Sequence, residues 1–139
     1  MGGKSRNRIF GDRVRGARVR AEFARKSFIV ARRERDAAEC QLWSEQIEGF
    51  GGPAQPSPTI AQCLNGGYPW LQVKCARCSS MASIPLEHVR RKPETPIWTL
   101  ESAFRCRRCS RPGYRPPVYL VKLTQEREIP ACWYHPSEL

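Results

Sequence analysis

The sequence lacks any long hydrophobic run. No stretch approaches the roughly 18 apolar residues of a membrane-spanning helix, and the first apolar run, residues 28–31, is too short for a signal peptide. Arg6 replaces the Ser or Thr of a myristoylation signal. Asp12, Glu22 and Glu34 argue against a mitochondrial transit peptide. We therefore expect a cytoplasmic protein that does not bind membranes.

Histidine and the common catalytic motifs are also scarce. The chain has only two His residues, and no G-x-S-x-G, H-E-x-x-H or phosphate-binding glycine loop occurs in it. Residues 49–52 are glycine-rich but lack the Lys-Ser/Thr of a P-loop. These absences predict a protein that is not an enzyme. An unrecognised site built on Cys132 and His135 stays open as an alternative.

Two closely spaced cysteine pairs are the strongest signal in the chain. Cys75 and Cys78 form one C-x-x-C pair, and Cys106 and Cys109 form the other. Seven cysteines, with two such pairs, favour metal binding over disulfides in a reducing compartment. Four thiolates around Zn²⁺ leave no position for water, so we predict a structural zinc site. Iron bound as in rubredoxin, or thiol pairs without metal, are the alternatives.

Three cysteines lie outside the two pairs. Cys40, Cys63 and Cys132 are predicted to be small buried hydrophobic residues. Cys132 and His135 have a spacing found among metal ligands, but no second pair accompanies them. His88 is predicted to lie on the surface.

Positive charge is distributed unevenly along the chain. The net charge is +11, with +9 in residues 1–35, −4 in residues 36–72 and +8 in residues 73–124. A basic block is typical of nucleic-acid binding, and a solvated basic surface is the alternative. We predict that DNA or RNA is contacted by the basic residues around the cysteines: Arg77, Arg90, Arg91, Lys92, Arg105, Arg107, Arg108 and Arg111. The N-terminal arginines are a second candidate surface.

A long helix is predicted before the cysteines, with Asp12 as its N-cap and Glu48 near its end. Small and apolar residues recur in it at alternating spacings of three and four, as in a heptad repeat. We call this set the alanine stripe: Val14, Ala17, Ala21, Ala24, Phe28, Ala31, Ala38 and Leu42. The stripe either packs on the chain's own zinc-binding domain or docks a protein partner or a second copy through residues 14–42.

Glycine and proline divide the chain into segments. Residues 49–58 are a predicted Gly/Pro linker. Residues 1–48 are predicted to form a basic tail and the long helix, and residues 59–124 to form the zinc-ribbon domain. Residues 125–139 are assigned to a C-terminal tail.

The predicted fold class is α+β: the long N-terminal helix, then a small zinc ribbon of short antiparallel strands with two inserted helices. Strands are expected where β-branched and aromatic residues concentrate, at residues 68–74, 81–84 and 118–123. The inserted helices are expected over residues 86–91 and from an N-cap at Thr99. A further short helix is expected over residues 59–64.

Three segments around the cysteines resemble small, uncharacterised bacterial zinc-ribbon proteins. They are residues 56–75 (PSPTIAQCLNGGYPWLQVKC), 95–101 (TPIWTLE) and 105–109 (RCRRC). The resemblance covers roughly residues 20–135. It implies a ribbon fold and a metal bound by the four paired cysteines, and it implies no activity.

Overall fold

The structure, a computed structural model, describes residues 2–50 and 55–130, with side chains for residues 10–49 and 55–130. Its helices are α1 (Gly2–Phe50) and α2 (Ile60–Asn65), with short 3₁₀ helices at Leu86–His88 and Ile97–Ala103. Its strands are β1 (Trp70–Cys75), β2 (Met81–Pro85) and β3 (Val118–Thr124). This confirms the α+β class. The chain divides into two compact units, Met1–Arg33 and Glu34–Leu139.

The first unit is helical, and its side chains from residue 10 onwards are largely exposed. α1 begins at Gly2, whereas the sequence predicted its start at Asp12. Glycine in a helix costs only about 1 kcal/mol, which a long helix tolerates, so Gly11 does not end it. Every side chain from residue 17 to residue 35 is exposed. Local contacts, such as the 3.5 Å ion pair between Lys26 and Glu22, support this segment.

The last part of α1 packs into the core of the second unit. Its buried residues recur at spacings of three and four and therefore share one face: Asp36, Cys40, Trp43, Ser44 and Ile47. Ala38 and Leu42, which belong to the alanine stripe, are exposed. The buried face of α1 therefore differs from the alanine stripe. It includes two polar residues, which a search for hydrophobic periodicity leaves out.

The end of α2 lies directly against α1. A Cβ atom added to Gly66 would be 2.7 Å from the backbone nitrogen of Ala37, so only glycine fits without a shift. The side-chain amide of Asn65 donates a 2.8 Å hydrogen bond to the buried carboxylate of Asp36. Thr59 caps the start of α2 in a capping box with Gln62. These contacts fix α2 on the last part of α1.

The sheet is antiparallel, with strand order β2-β1-β3. On the central strand, Leu71 is opposite Ile84 of β2 and Leu123 of β3. All three side chains are buried on the face that contains the hydrophobic core. The pairing with β3 shifts between Gln72 and the next residue, which is characteristic of a β-bulge.

The other face of the sheet is covered by residues 126–130. The side-chain amide of Gln72 donates a 2.6 Å hydrogen bond to Glu128. The hydroxyl of Ser83 accepts a 3.1 Å bond from the backbone N–H of Ile129. The guanidinium of Arg127 lies 5.7 Å from the ring centre of Trp70. Both faces of the central strand are therefore covered.

All three predicted strands are present, but the two inserted helices are more tightly wound than expected, and the first is also shorter. They are the 3₁₀ helices Leu86–His88 and Ile97–Ala103. Thr99 does not cap the second one: its hydroxyl donates a 2.6 Å bond to the carbonyl of Pro96, which precedes the helix.

Some predictions concern parts of the chain outside the described residues. Cys132 and His135 lie there, as do residues 51–54 of the proposed linker. The predicted segments 1–48, 49–58, 59–124 and 125–139 remain predictions. Within the described ranges, no helix combines the length and apolar character needed to cross a bilayer.

Candidate metal centre

The first cysteine pair lies at the tip of the β1–β2 hairpin, in residues 75–80, which we call the first knuckle. The backbone N–H of Ser79 donates a 3.0 Å bond to the carbonyl of Cys75, and the N–H of Cys75 donates a 2.9 Å bond to the carbonyl of Ser80. Ser79 has a φ of 59°. This left-handed conformation reverses the chain immediately after Cys78, at some cost in strain for a residue other than glycine.

The second cysteine pair lies in a loop after the 3₁₀ helix Ile97–Ala103, in residues 106–110, which we call the second knuckle. The N–H of Ser110 donates a 2.9 Å bond to the carbonyl of Cys106. The equivalent bond, from Ser79 to Cys75, closes the first knuckle. The two cysteine pairs therefore share a local geometry, although only the first is part of a hairpin. A tight turn follows, in which Arg111 and Tyr114 exchange two 2.9 Å backbone bonds.

Strand β3 brings the two knuckles together. The N–H of Ala76 donates a 2.9 Å bond to the carbonyl of Pro117, just before β3. Cys75 is opposite Val118, the first residue of that strand. Because β3 follows the second knuckle in the chain, its pairing with β1 places both cysteine pairs at the same end of the sheet.

The four cysteine sulfurs form one cluster. The Sγ atoms of Cys75, Cys78, Cys106 and Cys109 all lie within 4.8 Å of one another. The sulfurs of Cys78 and Cys106 are 3.7 Å apart. A tetrahedral metal with bonds of about 2.3 Å to sulfur requires about 3.8 Å along each edge. The residues therefore fit a four-thiolate metal ion, and this geometry suits zinc and iron equally.

The four thiols are not equivalent. Cys75 and Cys106 are fully buried, Cys109 is 7% exposed and Cys78 is exposed. The 2.9 Å hydrogen bond with the Ser80 hydroxyl and a further bond from the Ser80 backbone lower the pKa of Cys78 to about 6. Burial raises the pKa of Cys109 to about 12. Cys78 therefore ionises more readily than Cys109, and a metal that binds Cys109 must displace its proton.

Ser80 is a site residue that the sequence patterns did not single out. Its hydroxyl bonds Cys78 and lies 3.8 Å from the sulfur of Cys106. The dipeptide Ser79-Ser80 directly after the first pair was the available signal, because short hydroxyl side chains readily bond nearby groups.

Two cysteines outside the cluster are buried, as predicted. Cys40 in α1 and Cys63 in α2 are both 0% exposed. A hydrogen bond with Cys40, together with burial, raises the pKa of Cys63. Cys63 therefore remains neutral, and both cysteines are packing residues of the core. His88 is exposed.

The predicted nucleic-acid contacts are all exposed, but they divide into groups. Arg90, Arg91 and Lys92 follow the 3₁₀ helix after β2, which leaves the sheet at the end opposite the cysteines. Arg105, Arg107 and Arg111 line a cleft of about 640 Å³ beside the second knuckle.

The cleft contains two further residues of interest, and we call it the arginine cleft. Tyr114 and Arg115 also line it. Arg77 of the first knuckle lies over the ring of Tyr114, 5.5 Å from its centre. Arg108 is exposed and does not line the cleft. Proximity in sequence could not separate Arg108 from the arginines of the cleft, because the grouping depends on how residues 105–115 fold.

Comparison with protein-family models, curated proteins and solved structures found no match to this chain. The resemblance to bacterial zinc-ribbon proteins therefore remains a prediction.

Proposed function

We propose that the chain is a non-catalytic zinc-ribbon protein in which Cys75, Cys78, Cys106 and Cys109 bind one Zn²⁺. The cluster of four sulfurs within 4.8 Å of one another supports this proposal. A four-thiolate site leaves the metal no open position for water or substrate, so the role of the metal is structural. Such a metal compensates for a small core by joining two distant parts of the chain.

Metal analysis of the purified protein tests this proposal. We expect about one zinc per chain, because one four-thiolate site holds one ion. Bound iron would give the protein a visible colour and would replace zinc in the proposal. A folded protein without any metal would show that the four thiols need none.

We propose further that the protein contacts nucleic acid through its arginine-rich surface. Residues 73–124 carry a net charge of +8. The observation that carries the proposal is the arginine cleft, because none of the described residues that line it is acidic. Arginine guanidinium groups bind phosphates through paired hydrogen bonds.

Salt dependence tests this contact. The apparent affinity for DNA or RNA should fall steeply with added salt, since each neutralised phosphate contributes a slope of about −0.7 to −0.9 in log K against log salt. Fluorescence anisotropy with labelled oligonucleotides measures this slope. A flat response, or no binding at micromolar protein, would remove the proposal.

A second candidate is protein docking through the first unit. Its large apolar side chains include Phe23, which is 72% exposed, and Phe28, which is 66% exposed. Exposed aromatic residues are typical of interaction surfaces. We propose that the alanine stripe, which includes Phe28, binds a protein partner or a second copy of the chain.

The variants Ala24→Glu and Ala31→Glu test the docking proposal. Each adds one negative charge to the stripe, so partner binding or self-association should be lost. Lys26→Gln and Arg33→Gln are matched controls, because they make the same charge change on the opposite side of the helix. Light scattering measures self-association. A wild-type chain that stays monomeric at all concentrations would exclude the second copy as partner.

A further inference from the structure

The arginine cleft differs from a generally basic surface. Arg105, Arg107, Arg111 and Arg115 come from two short stretches of sequence and line one space of about 640 Å³. This volume lies in the range of sites for small ligands, which are typically about 300–1,000 Å³. Arginines on a flat surface would spread apart, whereas these converge on a concave site.

The wall of the cleft is held in place by backbone contacts. Arg111 and Tyr114 exchange two 2.9 Å backbone bonds across a turn whose third residue, Gly113, has a φ of 80°. The guanidinium of Arg115 donates bonds of 3.0 Å to the carbonyls of Ser102 and Phe104. Because a guanidinium has five N–H donors, Arg115 keeps donors beyond these two bonds. Groups fixed in this way lose less entropy when they bind a ligand.

Tyr114 provides an aromatic ring beside the arginines of the cleft. Half of its surface is exposed. The guanidinium of Arg77 covers one face of the ring, 5.5 Å from its centre. This cation–π contact holds the ring in position. Aromatic rings beside positive grooves accept stacked bases in proteins that bind single strands.

We propose that the arginine cleft binds single-stranded nucleic acid, with a backbone phosphate held by Arg105, Arg107 and Arg111 and a base stacked on Tyr114. This inference rests on the proposed nucleic-acid function and specifies its site and strand form. The bases of a duplex are stacked on each other and cannot offer a free face to Tyr114. A duplex could use only the phosphate contacts.

The experiment uses the full chain and a labelled oligothymidylate of about 12 nucleotides, a length within the site sizes of single-strand-binding folds. A duplex of the same length is the comparison. Tyr114→Leu should weaken single-strand binding about tenfold, since stacking of one base on an aromatic ring contributes this much. It should leave duplex binding unchanged. Tyr119→Leu is the matched control, because Tyr119 is 46% exposed and does not line the cleft.

Arginine variants test the phosphate contact separately. Arg111→Gln should reduce the salt slope for the single strand by about 0.7, the contribution of one phosphate. Lys74→Gln, at an exposed position outside the cleft and outside the predicted contacts, should leave it unchanged. Equal effects of the two variants would indicate a diffuse basic surface and overturn the assignment to the cleft.

The outcomes separate this inference from the proposed function. A wild-type chain that binds neither single strand nor duplex contradicts both. A wild-type chain that binds, while Tyr114→Leu binds single strands equally well, contradicts only the cleft assignment. Displacement of the oligonucleotide by thymidine monophosphate at equal concentration would mean that the site takes free nucleotides, which overturns the strand assignment. Metal content and circular dichroism establish that each variant is folded.

Discussion

The two parts of α1 are one continuous helix in two different environments. From residue 17 to residue 35 every side chain is exposed. A few residues later, Cys40, Trp43 and Ile47 are 0%, 2% and 3% exposed in the core. Isolated helices are only marginally stable in water, and packing of one face normally supplies most of their stability. The exposed part therefore depends on local interactions, and the buried part on its tertiary contacts.

Because of this difference, the two units should contribute very differently to the stability of the protein. The second unit contains the core and the cysteine cluster. The first unit presents charge and exposed aromatic residues that contribute little to folding. Changes in the core or the cysteine cluster of the second unit should therefore lower stability, whereas changes in the first unit should leave the stability of the core unchanged. The expected effects below run from the largest to the smallest.

The strongest test removes one metal ligand. Cys106→Ser should lose the metal and unfold the second unit, because a structural zinc site contributes about 10–16 kcal/mol in small zinc domains. This contribution exceeds the free energy of unfolding of most domains. Exposed residues 17–35 should keep their helical signal. Cys63→Ala is the control: it removes an equally buried cysteine and should retain the metal. Metal analysis and thermal melts measure both. A Cys106→Ser chain that melts like the wild type would refute the structural role of the site.

Deleting one aromatic side chain from each part of α1 tests the comparison directly. Trp43→Ala should cost about 3–5 kcal/mol, because it leaves a cavity in the core. Phe23→Ala should change stability by less than about 0.5 kcal/mol, as expected for an exposed position. Denaturant unfolding followed by circular dichroism gives both values. Equal losses would mean that the exposed part also contributes to the cooperative core.

Substitution of glycine by alanine should have opposite effects on stability in the two units. Gly66→Ala should cost about 1–3 kcal/mol, because the new methyl group would overlap the backbone of α1. Gly11→Ala meets no atom within 4 Å, and it should raise helix stability by about 0.5–1 kcal/mol. Chemical denaturation measures the first, and the far-ultraviolet helical signal the second. A neutral Gly66→Ala would show that α2 can move away from α1.

The smallest expected effect concerns one carboxylate of the second unit. One oxygen of Glu101 is buried with no hydrogen-bond partner among the described residues, and desolvation raises its pKa. A raised folded-state pKa stabilises the protein below the ordinary carboxyl pKa, and this contribution is lost as the pH rises through the folded value.

Glu101→Gln should therefore raise the free energy of unfolding slightly at pH 7, by less than about 1 kcal/mol after solvent screening, and leave it unchanged near pH 4. Glu87→Gln, at an exposed position, should have no effect at either pH. If Glu101→Gln lowered stability at neutral pH, the carboxylate must have a favourable partner.

The sequence predicted the sheet and the cysteine pairs because these depend on local pattern. The two valines and the tyrosine among residues 118–123 favour a strand that is partly buried. Two C-x-x-C pairs leave few arrangements other than one cluster. The bounds of β1, β2 and β3 therefore differ from the predictions by at most a few positions.

Features that depend on tertiary contacts could not be predicted in this way. Ser44 is buried because its hydroxyl donates to the carbonyl of Cys40 at 2.9 Å and accepts from the N–H of Leu123 at 3.0 Å. Leu123 is distant in sequence, so no local pattern marks Ser44 as a core residue. Among the described residues, the arginine cleft is lined by residues 105–115 alone, and its shape depends on how the second knuckle and the turn at residues 111–114 fold. Hydrophobic periodicity predicts neither the burial of Ser44 nor the shape of the arginine cleft.

The position of the two knuckles also has a consequence for the order of folding. The first pair lies in a hairpin, which forms in about 1–10 μs. The second arrives only when β3 pairs with β1, and Cys78 and Cys106 are 28 positions apart. A metal that joins them acts on the unfolded chain as a crosslink, and the entropy of closing such a loop corresponds to about 3–4 kcal/mol.

We therefore expect docking of the second pair, rather than formation of the first, to limit the folding rate. Stopped-flow refolding of chains with a lengthened loop between the pairs would detect this, because a longer loop should slow folding. A rate independent of loop length would place the slow step elsewhere. The cysteine cluster would then make the docking of the second pair the last step of folding.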